Sequence, residues 1–499
     1  MSTPSSPSPS TPYSTLNQLF IDGQWVQGAD TQRSTTDTDP YTGATLATLQ
    51  HATVAQLEAA LESAAKAQRE WAQTPPAARA AVLLRVVELI DARKDELTGW
   101  LVRESGSTVR KAQIELASAQ AIITEAASFP SRMQGALLTP FFPAQESRVH
   151  RVPLGVIGVI SPWNFPFHLS MRSVAPALAC GNAVVLKPAS DTPVTGGTLL
   201  AALFEEAGLP AGLLQVIVGS GSLIGDALVD HAIPKLISFT GSTPVGQGLG
   251  QKAMGGKHLK RVALELGGNA PIVVLEDADI EDAAAGAVSG RFLHQGQICM
   301  STNRAIVHTK VYDQFVEAAA ARVRQLAYGN PADPATAVGP LINAQQRDDV
   351  VRRIEQALRD GARLVVGAKA EGNVVPPHVL ADVDPEWSIA MDETFGPVLP
   401  IIRANDETHA LALANATSFG LSSSVYTRDI QRGLRFAEGI EAGMTHINNM
   451  SVADQPNAPF GGERNSGLGR FNGHWVMEEF TRTHWITIQS AGVPAHYPV

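Results

Sequence analysis

The chain has 499 residues, 44% of them apolar and 17% charged, the balance of a folded globular protein too long for one core, so roughly two or three domains are expected. A formal net charge of -10 argues against nucleic acid or an anionic membrane as the main partner. Two cysteines make no disulfide framework, and no apolar run reaches the roughly 18 residues of a membrane span, so a cytoplasmic, reducing setting is expected.

Residues 1–15 are Ser, Thr and Pro apart from Met1 and Tyr13; they hold too little apolar surface to fold and read as a disordered tail. The first basic residue is Arg33, so neither a secretory signal nor an arginine-rich transit helix is expected. Residues 20–26 predict a hairpin turning at Asp22-Gly23, and Asp39-Pro40-Tyr41-Thr42-Gly43 predicts a second turn. Helical periodicity then takes over. Leu57, Ala60, Leu61 and Ala64 share one face of a helix over 54–71, and the pattern continues over 77–102 and 109–128. It is lost between Gly135 and Pro153, where Arg148-Val149-His150-Arg151-Val152 alternates. A strand ribbon needing a partner is expected there.

From Val156 short apolar runs recur at 156–160, 183–186, 214–218, 235–239 and 261–264, with helix-forming sequence such as 196–207 between them. This alternation predicts βαβ units, a parallel sheet, and a ligand site at the carboxyl ends of its strands. A second α/β unit follows Ala270, with helices over 280–293 and 311–326, and residues 485–488 read as a terminal strand.

The strand ends carry the residues able to do chemistry. Gly241-Ser242-Thr243-Pro244-Val245-Gly246 has the glycine spacing of a P-loop, but Gln247-Gly248 stands where Lys and Ser/Thr belong, which argues against a nucleoside triphosphatase. The loop suits a pyrophosphate at a helix N-terminus, or is a plain strand-to-helix turn. Lys187 ends a strand and could bridge ribose hydroxyls, or be a solvated lysine. Glu265, at an apolar strand end before Leu266-Gly267-Gly268, would have a raised pKa suited to a general base, or pair locally. Asn164, held in Pro162-Trp163-Asn164-Phe165-Pro166, could donate to an oxyanion, or bond its own turn. Cys299 follows Phe292-Leu293-His294-Gln295-Gly296-Gln297-Ile298 and is either a buried small hydrophobe or a nucleophile.

These stretches, with Glu393-Thr394-Phe395-Gly396-Pro397 and Pro459-Phe460-Gly461-Gly462, resemble the aldehyde dehydrogenase superfamily over nearly the whole chain after the tail. The resemblance implies an α/β fold: a Rossmann-like NAD(P)-binding domain (16–132 and 154–264), a catalytic domain (265–470), and a small β segment for oligomerisation (133–153 and 471–499). That segment is expected to pair with the terminal strand of a neighbouring subunit in a homodimer or homotetramer. Cys299 would be the nucleophile, Glu265 the base, and Asn164 with the Cys299 amide the oxyanion hole. Attack needs the thiolate, so the site is expected to favour it. The resemblance implies cofactor contacts at Ser161, Pro162, Trp163, Lys187, Ser190, Gly221, Gly225, Thr240, Gly241, Ser242, Gly246, Leu266, Gly267, Glu393 and Phe395, with no metal. Ser190 stands where NAD-preferring members often carry Glu, so NADP is expected to be accepted beside NAD. His294 replaces the usual Asn and is expected to make only a supporting hydrogen bond. Cys180 is expected to be packing.

The motifs look like the aromatic-aldehyde branch, whose substrates include benzaldehyde, vanillin and salicylaldehyde. Phe165, Arg172, Ile298 and Phe460 are its candidate substrate residues, Arg172 having a surface ion pair as its alternative. Aliphatic aldehydes or a semialdehyde are the alternative substrates. A Cys-Glu-Lys amide or nitrile hydrolase built on Cys299, Glu265 and Lys187 is the competing reaction class.

Overall fold

The computed structural model describes residues 15–493; all but the last residue of the expected tail lies outside them. Among the described residues the largest sheet has eight strands, in the order Gln24–Val26, Leu19–Ile21, Leu214–Val216, Ala183–Lys187, Val156–Ile160, Pro234–Thr240, Arg261–Glu265 and Gly467–Leu468. The inner strands, from Leu214–Val216 to Arg261–Glu265, run parallel. Ala183–Lys187 is buried throughout, which is why it reads as a continuous apolar run rather than an alternation. At one edge Asp22 and Gly23 both adopt positive φ, 52° and 72°, the geometry a two-residue hairpin turn demands.

The helix Val54–Trp71 keeps its predicted limits. Thr53 caps it with a reciprocal Gln56 contact, and Leu57, Ala60, Leu61 and Ala64 are buried. The predicted 77–102 run is instead two helices, Pro76–Ala92 and Lys94–Ser105. Neither glycine nor proline marks the break. Arg93 leaves helical geometry where its guanidinium reaches Glu96 at 3.4 Å and Glu206 at 2.5 Å. The turn at Asp39–Gly43 joins a hairpin of Ser34–Thr38 and Thr45–Gln50 that had no apolar alternation to reveal it.

A second sheet has seven strands, in the order Arg363–Val366, His378–Ala381, Val398–Ala404, Thr302–His308, Ala270–Val274, Ser422–Tyr426 and Met444–Ile447. Only its first pair is antiparallel. Arg261–Glu265 ends the parallel run of the first sheet and Ala270–Val274 begins in the second, so residues 266–269 cross between them.

The ribbon finds a partner within its own chain. Gln145–Pro153 pairs antiparallel with Thr481–Gln489, from Thr481↔Pro153 to Gln489↔Gln145, so the terminal strand expected from a neighbour is here supplied by the same chain. The last helix, Gly473–Glu479, delivers the chain to this position. Phe480 is anchored there by Asn182, whose Nδ2 donates to its carbonyl at 3.0 Å. Ala136–Leu138 forms the ribbon's other edge.

Candidate active site

Because the inner strands are parallel, the loops beginning at Ser161, Pro188, Ile217, Gly241 and Leu266 leave one edge of the sheet. The nucleophile candidate comes from the other side of the 266–269 crossing. Its approach follows the helix Ile280–Phe292 and is a left-handed turn: His294, Gln295 and Gly296 have φ of 48°, 58° and 74°. Such backbone costs roughly 1–2 kcal/mol for each residue with a side chain, so the surroundings must enforce it. Gln295 donates to the carbonyls of Gly106 (3.1 Å) and Pro340 (2.8 Å), and the Gln297 side chain accepts from the Ile342 amide at 3.0 Å. Ile298 and Met300 are buried, while Cys299 between them is only half-buried.

Asn164 is buried and does not bond its own turn. Its amide donates to the Gln297 carbonyl at 2.9 Å, which fixes it against the cysteine loop and leaves its second N–H. A side chain at Gly268 would strike the Cys299 carbonyl, so glycine there lets the 266–269 crossing lie directly on the nucleophile. Glu265, which opens that crossing, is 1% exposed, and neither carboxyl oxygen has a hydrogen-bond partner. Burial pushes its pKa up to about 8, against the pull of Arg172. Burial, with Glu265 next, pushes the Cys299 thiol up to about 12. Burial thus works against the expected thiolate, and Arg172 works in its favour.

Arg172 is 2% exposed, which removes the surface ion-pair reading. Its guanidinium lies over the Phe460 ring at 4.2 Å and the Phe471 ring at 5.1 Å, and 3.5 Å from Asp454. Asp454 also meets His168 Nε2 at 2.9 Å and accepts from Asn472 at 2.6 Å. Burial opposes its ionisation, but His168, Arg172 and Asn472 outweigh burial and hold its pKa below the usual carboxylate range. His168 and Asp454 line a cavity of about 310 Å³ with Ile114, Ala117, Ile122 and Pro456. Ile298 and Phe460 belong to one apolar cluster, with Phe165 packed against it.

The sheet edge has the features of a dinucleotide platform. Lys187 is buried, its pKa lowered to about 8 by desolvation, and its stem lies 3.8 Å from where a side chain at Gly225 would begin. Gly221–Gly225 is a wide helical turn. Thr240 and Gly241 end their strand, and Ser242 stands at the start of Thr243–Gly255 without capping it, which leaves first-turn amides open to an anion. Gly246 is buried against Leu266. Glu393 accepts from the Gly268 amide at 2.9 Å, beside Gly267. Phe395 packs edge-on to Trp163, ring centres 5.5 Å apart, and Pro162 is half-buried with it. Ser161 is buried, accepting from Ser170 at 2.7 Å; Ser190 is exposed. The Lys187 ammonium donates to Pro188 O at 3.2 Å, with the Glu265 carboxyl group left without a partner, so no Glu265–Lys187 pair of the hydrolase kind is formed.

Some supporting residues carried no sequence signal. Arg291 donates to Ser301, Thr302 and Asn303 after the nucleophile, and to the Thr394 carbonyl beside Glu393. Lys111, Glu115, His168 and Asp454 are the others. His294 is fully buried, its pKa lowered by burial and by Lys111, with the Asn164 backbone as the polar group that acts against them. Cys180 is buried packing, its thiol pushed up to about 12 by desolvation.

Comparison with known proteins decides the family. The Aldehyde dehydrogenase family matches residues 25–486. The chain belongs to the aldehyde dehydrogenase family. This aldehyde dehydrogenase is 52% identical over 470 residues to a vanillin dehydrogenase of Corynebacterium glutamicum, covering 94% of this chain and 97% of that one. The crystal structure of a NAD-dependent benzaldehyde dehydrogenase from the same organism matches with a TM-score of 0.88 at 49% identity, over 96% of this chain and 97% of that chain. A salicylaldehyde dehydrogenase from Pseudomonas putida, complexed with salicylaldehyde, matches with a TM-score of 0.92 at 36% identity, over 97% and 99%. The aldehyde dehydrogenase thus has its parallel-sheet fold in common with relatives that cover nearly all of it.

Proposed function

We propose that this enzyme oxidises aromatic aldehydes to carboxylic acids, using NAD and tolerating NADP. The observation that carries the reading is the convergence of Cys299, Asn164 and Glu265 on the 266–269 crossing. Cys299 is half-exposed between buried Ile298 and Met300, Asn164 is fixed to its loop, and the Glu265 carboxyl group has no other partner.

As Cys299 attacks the aldehyde carbon, its thiol proton passes to the Glu265 carboxylate, which releases it to solvent before hydrolysis. The free N–H of Asn164 and the Cys299 amide meet the developing oxyanion, each contributing about 2.7–4 kcal/mol at comparable sites. The dinucleotide, when bound, accepts the hydride released from the substrate carbon. Lys187 and Glu393 would hold its riboses, Ser161, Pro162, Trp163 and Phe395 would face the nicotinamide end, and Thr240, Gly241, Ser242, Gly246 and the 221–225 turn would take the remainder. Glu265 then draws a proton from water as water attacks the Cys299 thioester, and the acid leaves. Phe165, Arg172, Ile298 and Phe460 flank the substrate ring. Ser190 brings no carboxylate against a ribose phosphate, which supports use of both cofactors.

The relatives named for vanillin, benzaldehyde and salicylaldehyde support the aromatic reading, as do the rings of Phe460 and Phe471 around Arg172. The enzyme acts as a homodimer or homotetramer that covers exposed apolar residues of the ribbon. Unpaired cysteines, with no helix among the described residues long and apolar enough to cross a membrane, accord with a cytoplasmic site. The test is reduced-cofactor formation with benzaldehyde, vanillin, salicylaldehyde and aliphatic aldehydes, each with NAD and NADP. A higher kcat/KM on aliphatic aldehydes would sink the aromatic reading. A large preference for NAD would remove the tolerance of NADP.

A further inference from the structure

We propose that Lys111 and Glu115 form a positioning pair for Asn164, clamping from behind the turn that aims its amide; this rests on the oxyanion role proposed above. Both side chains are fully buried, one helical turn apart on Val109–Arg132, and joined at 2.5 Å. Buried ion pairs are weak contributors to stability, since desolvation consumes most of what attraction supplies. This pair instead directs its remaining bonding capacity at one turn. Lys111 Nζ donates to the Asn164 carbonyl at 2.7 Å and lies 4.1 Å from the centre of the Phe165 ring. The ammonium thus has the Glu115 carboxylate, the Asn164 carbonyl and an aromatic face around it. Glu115 uses its other oxygen to accept from the amides of Phe167 at 2.9 Å and His168 at 3.2 Å, the opening of the helix Pro166–Ala179.

The peptide unit on one side of Phe165 and the helix start on the other are therefore held by a single rigid pair. The front of the turn is fixed separately, by the Asn164 amide on Gln297 O. The His294 ring closes the remaining side, edge-on to Phe165 with centres 5.5 Å apart. An amide anchored at front and back has little freedom to swing away from Cys299, and small displacements of such donors are expensive in rate.

The test is a double-mutant cycle on benzaldehyde oxidation with NAD. Lys111→Met/Glu115→Gln removes both charges, keeps the shape, and leaves the Gln oxygen to accept from Phe167 and His168. It should lower kcat about 10- to 100-fold, with NAD affinity, read by protein fluorescence, changed by less than about twofold. In an Asn164→Ala background the same pair of changes should lower kcat by less than about twofold, because the group being aimed is gone. Lys111→Arg, which keeps the cation and its donors, should stay within about threefold of wild type. An unchanged kcat, an equal loss with or without Asn164, or an arginine variant as slow as the neutral pair would each overturn the proposal. Failure of the wild-type enzyme to oxidise benzaldehyde would instead overturn the reading it rests on.

Discussion

Glu265 keeps a carboxyl group in the interior with neither oxygen bonded, and the cost appears as a pKa of about 8. A base works only when deprotonated, so its active fraction is the minority at neutrality and the majority above that value. Thioester hydrolysis, and kcat where hydrolysis limits it, should rise with pH through about 8. Glu265→Gln should abolish that limb and most of the turnover, and a rising limb in the variant would contradict the assignment. Cys299→Ala should abolish oxidation while leaving NAD binding, read by fluorescence, within about twofold. Arg172→Ala removes a buried cation from between two rings and leaves Asp454 with a lost partner. It should raise KM for benzaldehyde and salicylaldehyde about tenfold or more; unchanged steady-state kinetics on both would exclude a substrate role. The stretches around Cys299, Glu265 and Asn164 were legible as strand-end and loop positions able to do chemistry, but each local sequence left a structural alternative open. Asp454 and Lys111 were not: their partners Arg172 and Asn164 lie on distant elements, and no local spacing encodes such a meeting. The packing of the His294 ring on Phe165 was not legible either, since the two lie on distant elements.

At the scale of the element, the left-handed turn before Cys299 decides how firmly the nucleophile is presented. Its hold on the rest of the protein runs through Gln295, whose amide bridges the carbonyls of Gly106 and Pro340. Gln295→Ala should destabilise the fold by about 1–3 kcal/mol, leaving buried carbonyls unpaired, measured by urea denaturation, with kcat falling further than KM. A variant as stable and as fast as wild type would show that the backbone needs no such hold. Of this turn only Gly296 was readable, since positive φ at His294 and Gln295 follows from tertiary bonds rather than residue type. The helix Val54–Trp71 was fully readable because its cap and its apolar face agree. The hairpin Ser34–Thr38 with Thr45–Gln50 was hidden by its polar sequence, and the break at Arg93 by the absence of any helix breaker.

At the scale of the molecule, the parallel sheets followed from the apolar runs, but the destination of the ribbon did not, because pairing partners far apart in sequence leave no mutual trace. The three-stranded ribbon still presents Leu137, Phe141 and Trp485 at 82%, 84% and 65% exposure, a group of large apolar side chains of the kind that marks a contact surface. Phe141→Lys/Trp485→Lys should shift the enzyme to a smaller species in sedimentation velocity without loss of NAD binding. An unchanged sedimentation coefficient would place the subunit contact elsewhere. The self-pairing of the ribbon also has a consequence for synthesis. Arg151 and its partner Thr481 are 330 residues apart, which a ribosome covers in roughly 15–70 s. Throughout that interval Gln145–Pro153 has one edge unpaired while both sheets are still being assembled. Nascent chains are then open to strand addition by one another, so yield should depend on translation speed and on chaperones that bind extended segments, even though the finished enzyme leaves no gap there.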